Sequence, residues 1–321
     1  AAAAQDSDQS ASDNSVQAFA ADQSPGESPA GSPAGSDSST PPATAEVPQL
    51  ATDGTGGAVD LTDGDEPPPD TTAAIAYAAG PLNAATGFSA STPAGEAAIA
   101  VDGQGSVTGF SGPGPVGDSR FNIGSAATVN AGRDENRVGA TGLQWGRWST
   151  GTIDVTSATG TATQPLTTSS LHWVTGPEGA PTPTLSTQGT AQFSLVGNTN
   201  PTDNNGNVGT LGSASLVADF TAQTVDAEVN VAFTDTNQVW AASAEGVSIN
   251  GSDATFGGDF DSVTVTDTVT SVSSDGSGRL DGFFSGTPAG AVTGAGLTYS
   301  LGNPAGTTVS GAAAFQLEDV D

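Results

Sequence analysis

Past residue 70 the chain alternates. In VDAEVNVAF, Val225, Ala227, Val229, Val231 and Phe233 fall on one side, and Asp226, Glu228 and Asn230 fall on the other. That is the two-residue period of a strand with one face toward a core and one toward solvent. TAQFSLV groups Ala191, Phe193 and Leu195, and SASLVADF groups Ala214, Leu216, Ala218 and Phe220. The same pattern predicts strands over 239–247, 255–260, 262–270, 279–285, 295–301 and 308–315. Turn strings such as NPTDNNGN, SSDGSG and GNPAG lie between them. This is an antiparallel meander of about eight strands, and closing it into a barrel hides its edges.

Upstream, shorter strands are predicted over 72–79, 97–101, 106–110, 120–123, 143–148, 152–156 and 170–174. No segment shows a helical period. The Pro/Thr-rich string TGPEGAPTPT then reads as a linker. The expected fold class is all-β, with a small β lobe or sandwich over 71–176, a linker over 177–187 and a barrel-like lobe over 188–317. Residues 1–70, rich in Pro, Ser, Gly and Asp, contain too few large apolar side chains to offset ordering entropy. They are expected to form an extended or disordered tail, which strand addition in an assembly would order. The run DLTDGDEPPPD, with Asp60, Asp63, Asp65 and Glu66, reads as its solvated acidic end.

Charge narrows the partners. The 321 residues carry 35 acidic and five basic side chains, for a net charge of −30, and all five basic residues are Arg. Such a surface repels nucleic acid and anionic lipid, whose phosphates need cationic partners. No apolar run approaches the ~18 residues of a membrane-spanning helix. With no Cys there is no disulfide, thiolate metal site or Cys nucleophile. The opening AAAAQ without Met fits a mature chain that has lost an export signal, and fits equally a chain cut at that point.

Several strings together resemble a known region. RFNIGSAATVNAGRDENRVGATGLQWGRWSTGTIDV, SSLHWVTG, PTDNNGNVGTL and the closing GFFSGTPAGAVTGAGLTYSL with VSGAAAF resemble the C-terminal region behind FecR-type domains in exported proteobacterial proteins, over roughly 72–316. The closing pattern is also similar to the barrel ends of bacterial surface lipoproteins such as transferrin-binding protein B. The chain contains no FecR domain and no lipid-anchor Cys, so the resemblance implies an exported, extracellular or surface β-barrel region and not a sigma-regulating role.

Three places could carry chemistry. Trp145, Arg147 and Trp148 in WGRW, with Trp173 in LHW, hold most of the large rings of this stretch. On a strand Trp145 and Arg147 share a face and Trp148 takes the other. They either anchor a small-residue core or form a stacking platform for a glycan or surface protein. His172, the only His, lacks a nucleophile-elbow motif beside it and is expected to pack or hydrogen-bond. Asp203, Asn205 and Asn207 alternate about Gly206 like the start of a calcium loop, but position 214, where a bidentate Glu belongs, is Ala. The site is therefore an Asn/Gly turn, or at most a loose Ca2+ ligand set, and no other cofactor is expected. Finally TTAAIAYAAG, with Thr72, Ala74, Ile75 and Tyr77, is a clean strand bordering the tail. It belongs to its own sheet, or adds to another copy to build a filament or layer. The expected function is a non-enzymatic surface or structural protein that self-assembles, with an extracellular binding module as the alternative.

Overall fold

The structure, a computed structural model, describes residues 71–79, 94–114, 117–135, 140–157, 160–286 and 290–318. The tail expected over 1–70, with its acidic run, lies outside the described residues. Among the described residues every regular element is a strand, and no helix is long and apolar enough to cross a membrane.

The first sheet holds β1 (Thr71–Ala79), β2 (Ala94–Val101), β3 (Val107–Gly114), β4 (Gly117–Ile123), β5 (Ala127–Arg133), β6 (Gln144–Ser149), β7 (Thr152–Ser157), β8 (Gly160–Pro165) and β9 (Ser170–Thr175). Its order is β5-β6-β9-β1-β2-β3-β4-β7-β8, antiparallel throughout. It is one curled sheet, a half-barrel, in place of two sheets face to face. The curl comes from a shared ladder. Ile123 pairs with Ile153 and, four residues further along each strand, Ala127 pairs with Ser149. So β4 with β5, and β6 with β7, form one long ribbon bent at Gly124–Ala126. The bend is tight: Gly124 and Ala126 both donate their N–H to the Thr152 carbonyl at 3.0 Å. Gly151 adopts φ +69°, and a Cβ there would stand 2.3 Å from the Ser125 carbonyl oxygen, so only glycine fits.

The second sheet holds β10 (Thr190–Asn198), β11 (Thr202–Asp203), β12 (Thr210–Asp219), β13 (Thr224–Phe233), β14 (Gln238–Asn250), β15 (Thr255–Asp259), β16 (Ser262–Asp267), β17 (Ser273–Asp275), β18 (Ser277–Gly286), β19 (Val292–Gly302) and β20 (Thr308–Leu317). Ile249 pairs with Phe256 and, nine residues along each strand, Trp240 pairs with Val265. β15 and β16 are thus one interrupted strand in a single register against β14. β17 and β18 form its neighbour, with one residue fewer between the pairs Asp259↔Arg279 and Thr264↔Asp275. Counted this way the sheet is an eight-stranded up-and-down meander, closed where β20 pairs with β10.

The barrel is filled with side chains. Phe284 meets Phe193, Phe220 and Phe256 at centroid distances of 5.8, 5.5 and 5.2 Å, in the same cluster as Trp240, Tyr299 and Phe315. Val225, Ala227, Val229, Val231 and Phe233 point inward as the alternation predicts, with Asp226 and Glu228 outside. β18, β19 and β20 depart from alternation and are buried on both faces, because the half-barrel lies against their outer side. That seam joins Ala76, Leu143 and Val174 to Phe283, Ala312 and Ala314, with Ala74, Trp145 and Val196 packed against them. The opposite, concave face of the half-barrel packs Tyr77, Phe110, Phe121 and Trp148 into one ring cluster.

Two six- and seven-residue strands are absent from the alternation pattern, β8 and β5. They are the two edges of the open sheet. No residue of β5 is buried, and in β8 only Gln164 is, so neither has an apolar face to register in the sequence.

Because the ribbon turns its corner at Gly151, Gly151→Ala is expected to destabilise the protein by about 1–3 kcal/mol, more than the loss from adding a methyl at the exposed Gly103, where a Cβ meets nothing within 4 Å. Urea unfolding of the two variants checks this.

Candidate functional site

The large and charged side chains singled out by WGRW and LHW divide between two surfaces. Trp148 enters the concave ring cluster, stacked on Phe110 at 5.4 Å. Trp173 lies on the same face, against Gly146. Trp145 and Arg147 point the other way, into the seam. The Trp145 indole lies over two glycines, one from each sheet: a Cβ on Gly132 or Gly197 would fall 2.4 or 2.0 Å from its Cζ2. Arg147 is 6% exposed, and its Nη1 donates to the Asn200 carbonyl at 3.0 Å. These four residues therefore do not form a common ligand platform.

Next to Arg147, on the paired strand, stands His172, fully buried. Its Nδ1 lies 2.7 Å from Thr199 Oγ1 and its Nε2 2.9 Å from Thr202 Oγ1. The Thr199 hydroxyl already accepts the Ala312 N–H at 3.0 Å. Its own proton has two acceptors in reach, the Ala312 carbonyl at 3.4 Å and Nδ1 at 2.7 Å; given to the nearer, it leaves the ring proton on Nε2, donated to Thr202. Burial holds the His172 pKa well below the usual imidazole value, and the charge of Arg147 depresses it further. The neutral ring is a clasp: it ties β9 to the segment 198–203, which continues beyond β10 along the same edge of β20 as β11. With both nitrogens engaged and no solvent contact, the ring has no atom left for a substrate. The partners sit 27 and 30 residues away, and no local spacing signals them.

Asp203, Asn205 and Asn207 do come together, in a turn. Asp203 Oδ1 accepts the N–H of Asn205 at 2.9 Å and of Asn207 at 2.8 Å, and Oδ2 accepts Asn207 Nδ2 at 2.7 Å. The carboxylate oxygens that would face a calcium ion are thus engaged by N–H donors within the loop. Among the described residues no three His, Asp or Glu side chains are grouped as metal ligands.

Thr72, Ala74, Ile75 and Tyr77 lie in β1, in the middle of the half-barrel. Ile75 and Tyr77 are in its concave core, and Ala74 is at the seam. β1 pairs with β2 on one side and β9 on the other. The Ala74 and Thr72 carbonyls beyond the β9 ladder accept the N–H of Gly176 and Gly179 at 2.8 and 2.9 Å. Of the two alternatives for this strand, the structure has it in its own sheet, with its hydrogen-bonding groups committed within its own chain.

One cleft joins aromatic and polar groups. It encloses about 230 Å³ between the β2–β3 loop and β5–β6, and is lined by Gln104, Ser106, Arg133, Gln144, Trp145 and Trp173. Arg133 spans it, donating to the Gly105 carbonyl at 3.3 Å and lying 3.5 Å from Glu135. No protein-family model matches the chain, and a search of curated proteins finds no match.

The His172 clasp has a pH signature. The unfolded chain takes up a proton near pH 6.5 and the folded chain does not. The stability from His172 is therefore complete above about pH 6.5 and falls as pH drops below it, by up to about 1.4 kcal/mol per unit. Urea unfolding at about pH 7.5 and about pH 5.5 is expected to show this loss in the wild type. A His172→Gln variant, less stable at the higher pH, should lack the His-dependent slope. The single His makes the difference between the two unambiguous.

Proposed function

We propose that the chain is a non-enzymatic, exported bacterial surface or structural protein, in which two locked β sheets act as a rigid carrier for loops and edges. The observation that carries this reading is the placement of the scarce side chains. Trp148, Trp173 and Trp240 are fully buried in cores, Trp145 and Arg147 fill the seam, and His172 is held at both ring nitrogens. The barrel is apolar inside and carries Asp226 and Glu228 outside, the reverse of a membrane barrel, which supports a barrel standing in water. The charge of −30 with no Lys supports a soluble, extracellular setting. Treating intact cells that express the full gene product with protease tests export. Degradation of this protein while a cytosolic marker survives is expected, and protection of both until lysis sets the reading aside.

A second reading, capture of a glycan or surface protein, is favoured by the cleft at Gln144 and Arg133. Trp145→Ala is a poor probe of it, since that indole holds the seam. Gln144→Ala is better: glycan-array binding is expected to fall about tenfold, the loss of one or two hydrogen bonds. Absence of any bound glycan in the wild type removes the glycan form of this reading.

A further inference from the structure

We propose that β8 is a self-pairing edge, and that two copies of this chain join antiparallel along it into one continuous sheet. An open sheet has two edges, and here they differ. β5 carries a register shift between Val129 and Gly132, a left-handed Asn130 at φ 50°, and an Asn130 Nδ2 bond to the Thr199 carbonyl at 3.3 Å. It is bulged and tied toward the barrel. β8 runs against β7 from Gly160 to Pro165 with no shift, and among the described residues it has no strand on its other side.

The ladder tells which groups are free. Leu166 donates its N–H to the Gly151 carbonyl at 2.9 Å. In an antiparallel pair only every second residue turns its N–H and C=O to the partner. Gln164, Ala162 and Gly160 therefore face β7, and Thr161, Thr163 and Pro165 face outward. Pro165, which has no N–H, occupies an outward position where none is needed. That leaves the N–H and C=O of Thr161 and Thr163 as an exposed row. About a twofold axis through Ala162, Thr161 of one copy meets Thr163 of the other, and each pair exchanges two backbone hydrogen bonds. Thr–Thr pairs suit this position.

Charge selects a second copy as the occupant. In a chain of net charge −30 most faces repel a copy. Gly160–Pro165 contains no ionisable side chain, and the nearby Asp154 already accepts the Thr163 hydroxyl at 2.6 Å. The Thr161 hydroxyl is bonded back to Thr156 at 2.8 Å. The pairing is short, so it is weak at low salt and strengthens when the remaining repulsion is screened. It is independent of export and can fail or hold whatever the cell fractionation shows.

Sedimentation velocity of the full chain, over a concentration series at low salt and at about 1 M salt, where the Debye length falls to about 3 Å, tests this. A concentration-dependent dimer is expected, at least about tenfold tighter in high salt. Thr163→Pro removes one outward N–H and leaves the β7 ladder whole, and should weaken the dimer at least about tenfold. Thr163→Val keeps the N–H and should dimerise. If thermal unfolding shows that the proline variant does not fold, Thr161→Glu, which sets like charges across the axis on an exposed side chain, should give a monomer. A wild type that stays monomeric at every concentration in high salt overturns the proposal, even if the edge captures an unrelated extended peptide. So does a folded Thr163→Pro or Thr161→Glu that associates like the wild type.

Discussion

Everything in this fold depends on how closely two curved sheets can approach. Dispersion between packed atoms falls off within about an ångström of extra separation, so a seam between sheets holds only if both surfaces are smooth. β1 supplies Ala74 and Ala76, and β20 supplies Ala312 and Ala314. Large side chains enter only where a facing gap admits them: Phe283 from the barrel, and Trp145 laid over Gly132 and Gly197. The alanines of β1 and β20 at the seam are thereby explained. In β1 one set of alternate residues includes Ile75 and Tyr77 for the concave core, and the other is alanine for the seam. β18–β20 lose their solvent face for the same reason.

A seam this dry must satisfy each polar group it covers, since an unpaired one costs about 1–3 kcal/mol. His172, Thr199 and Thr202 meet that demand among themselves, while Arg147 meets it at Nη1 and leaves its buried Nε unpaired. Thr199 serves the Ala312 backbone and the imidazole at once, and Arg147 caps the Asn200 carbonyl. The hydrogen bonds have direction where apolar contact has none, so they set the position of β11 along β20 as well as its contact. Arg147 beside a neutral His172 also explains why the imidazole resists protonation: charging it would place two cations side by side away from water.

What could be read from the chain follows from what alternation encodes. A strand with one wet and one dry face, such as β13, declares itself, and the closed meander of eight follows from a row of them. The division of Trp145 and Arg147 from Trp148 was legible for the same reason. Alternation encodes burial relative to a single core, however, so it could not show that the outer faces of β1 and β9 meet a second sheet, nor that His172 reaches threonines about thirty residues on. β5 and β8 escaped because edges are exposed on both faces. GTATQP and ATVNAGR contain few apolar residues to alternate, and only the pairing register identifies them as strands.

The two sheets solve the edge problem differently, and that difference locates where the molecule is open to others. Closure gives the barrel no free edge; its outer face carries carboxylates on β13, small and uncharged side chains on much of β12 and β14, and the half-barrel over β18–β20. The half-barrel cannot close on itself, because β4 and β6 leave it at the corner held by Gly151 and return as β5 and β7. One of the edges so created is bulged and tied toward the barrel through Asn130. The other is short, threonine-rich and uncharged. A surface of such high negative charge acts against indiscriminate association, so any contact between copies is channelled to the few places where charge is missing. The same small residues that let the sheets pack flush leave those places chemically plain, with backbone groups as their only means of recognition.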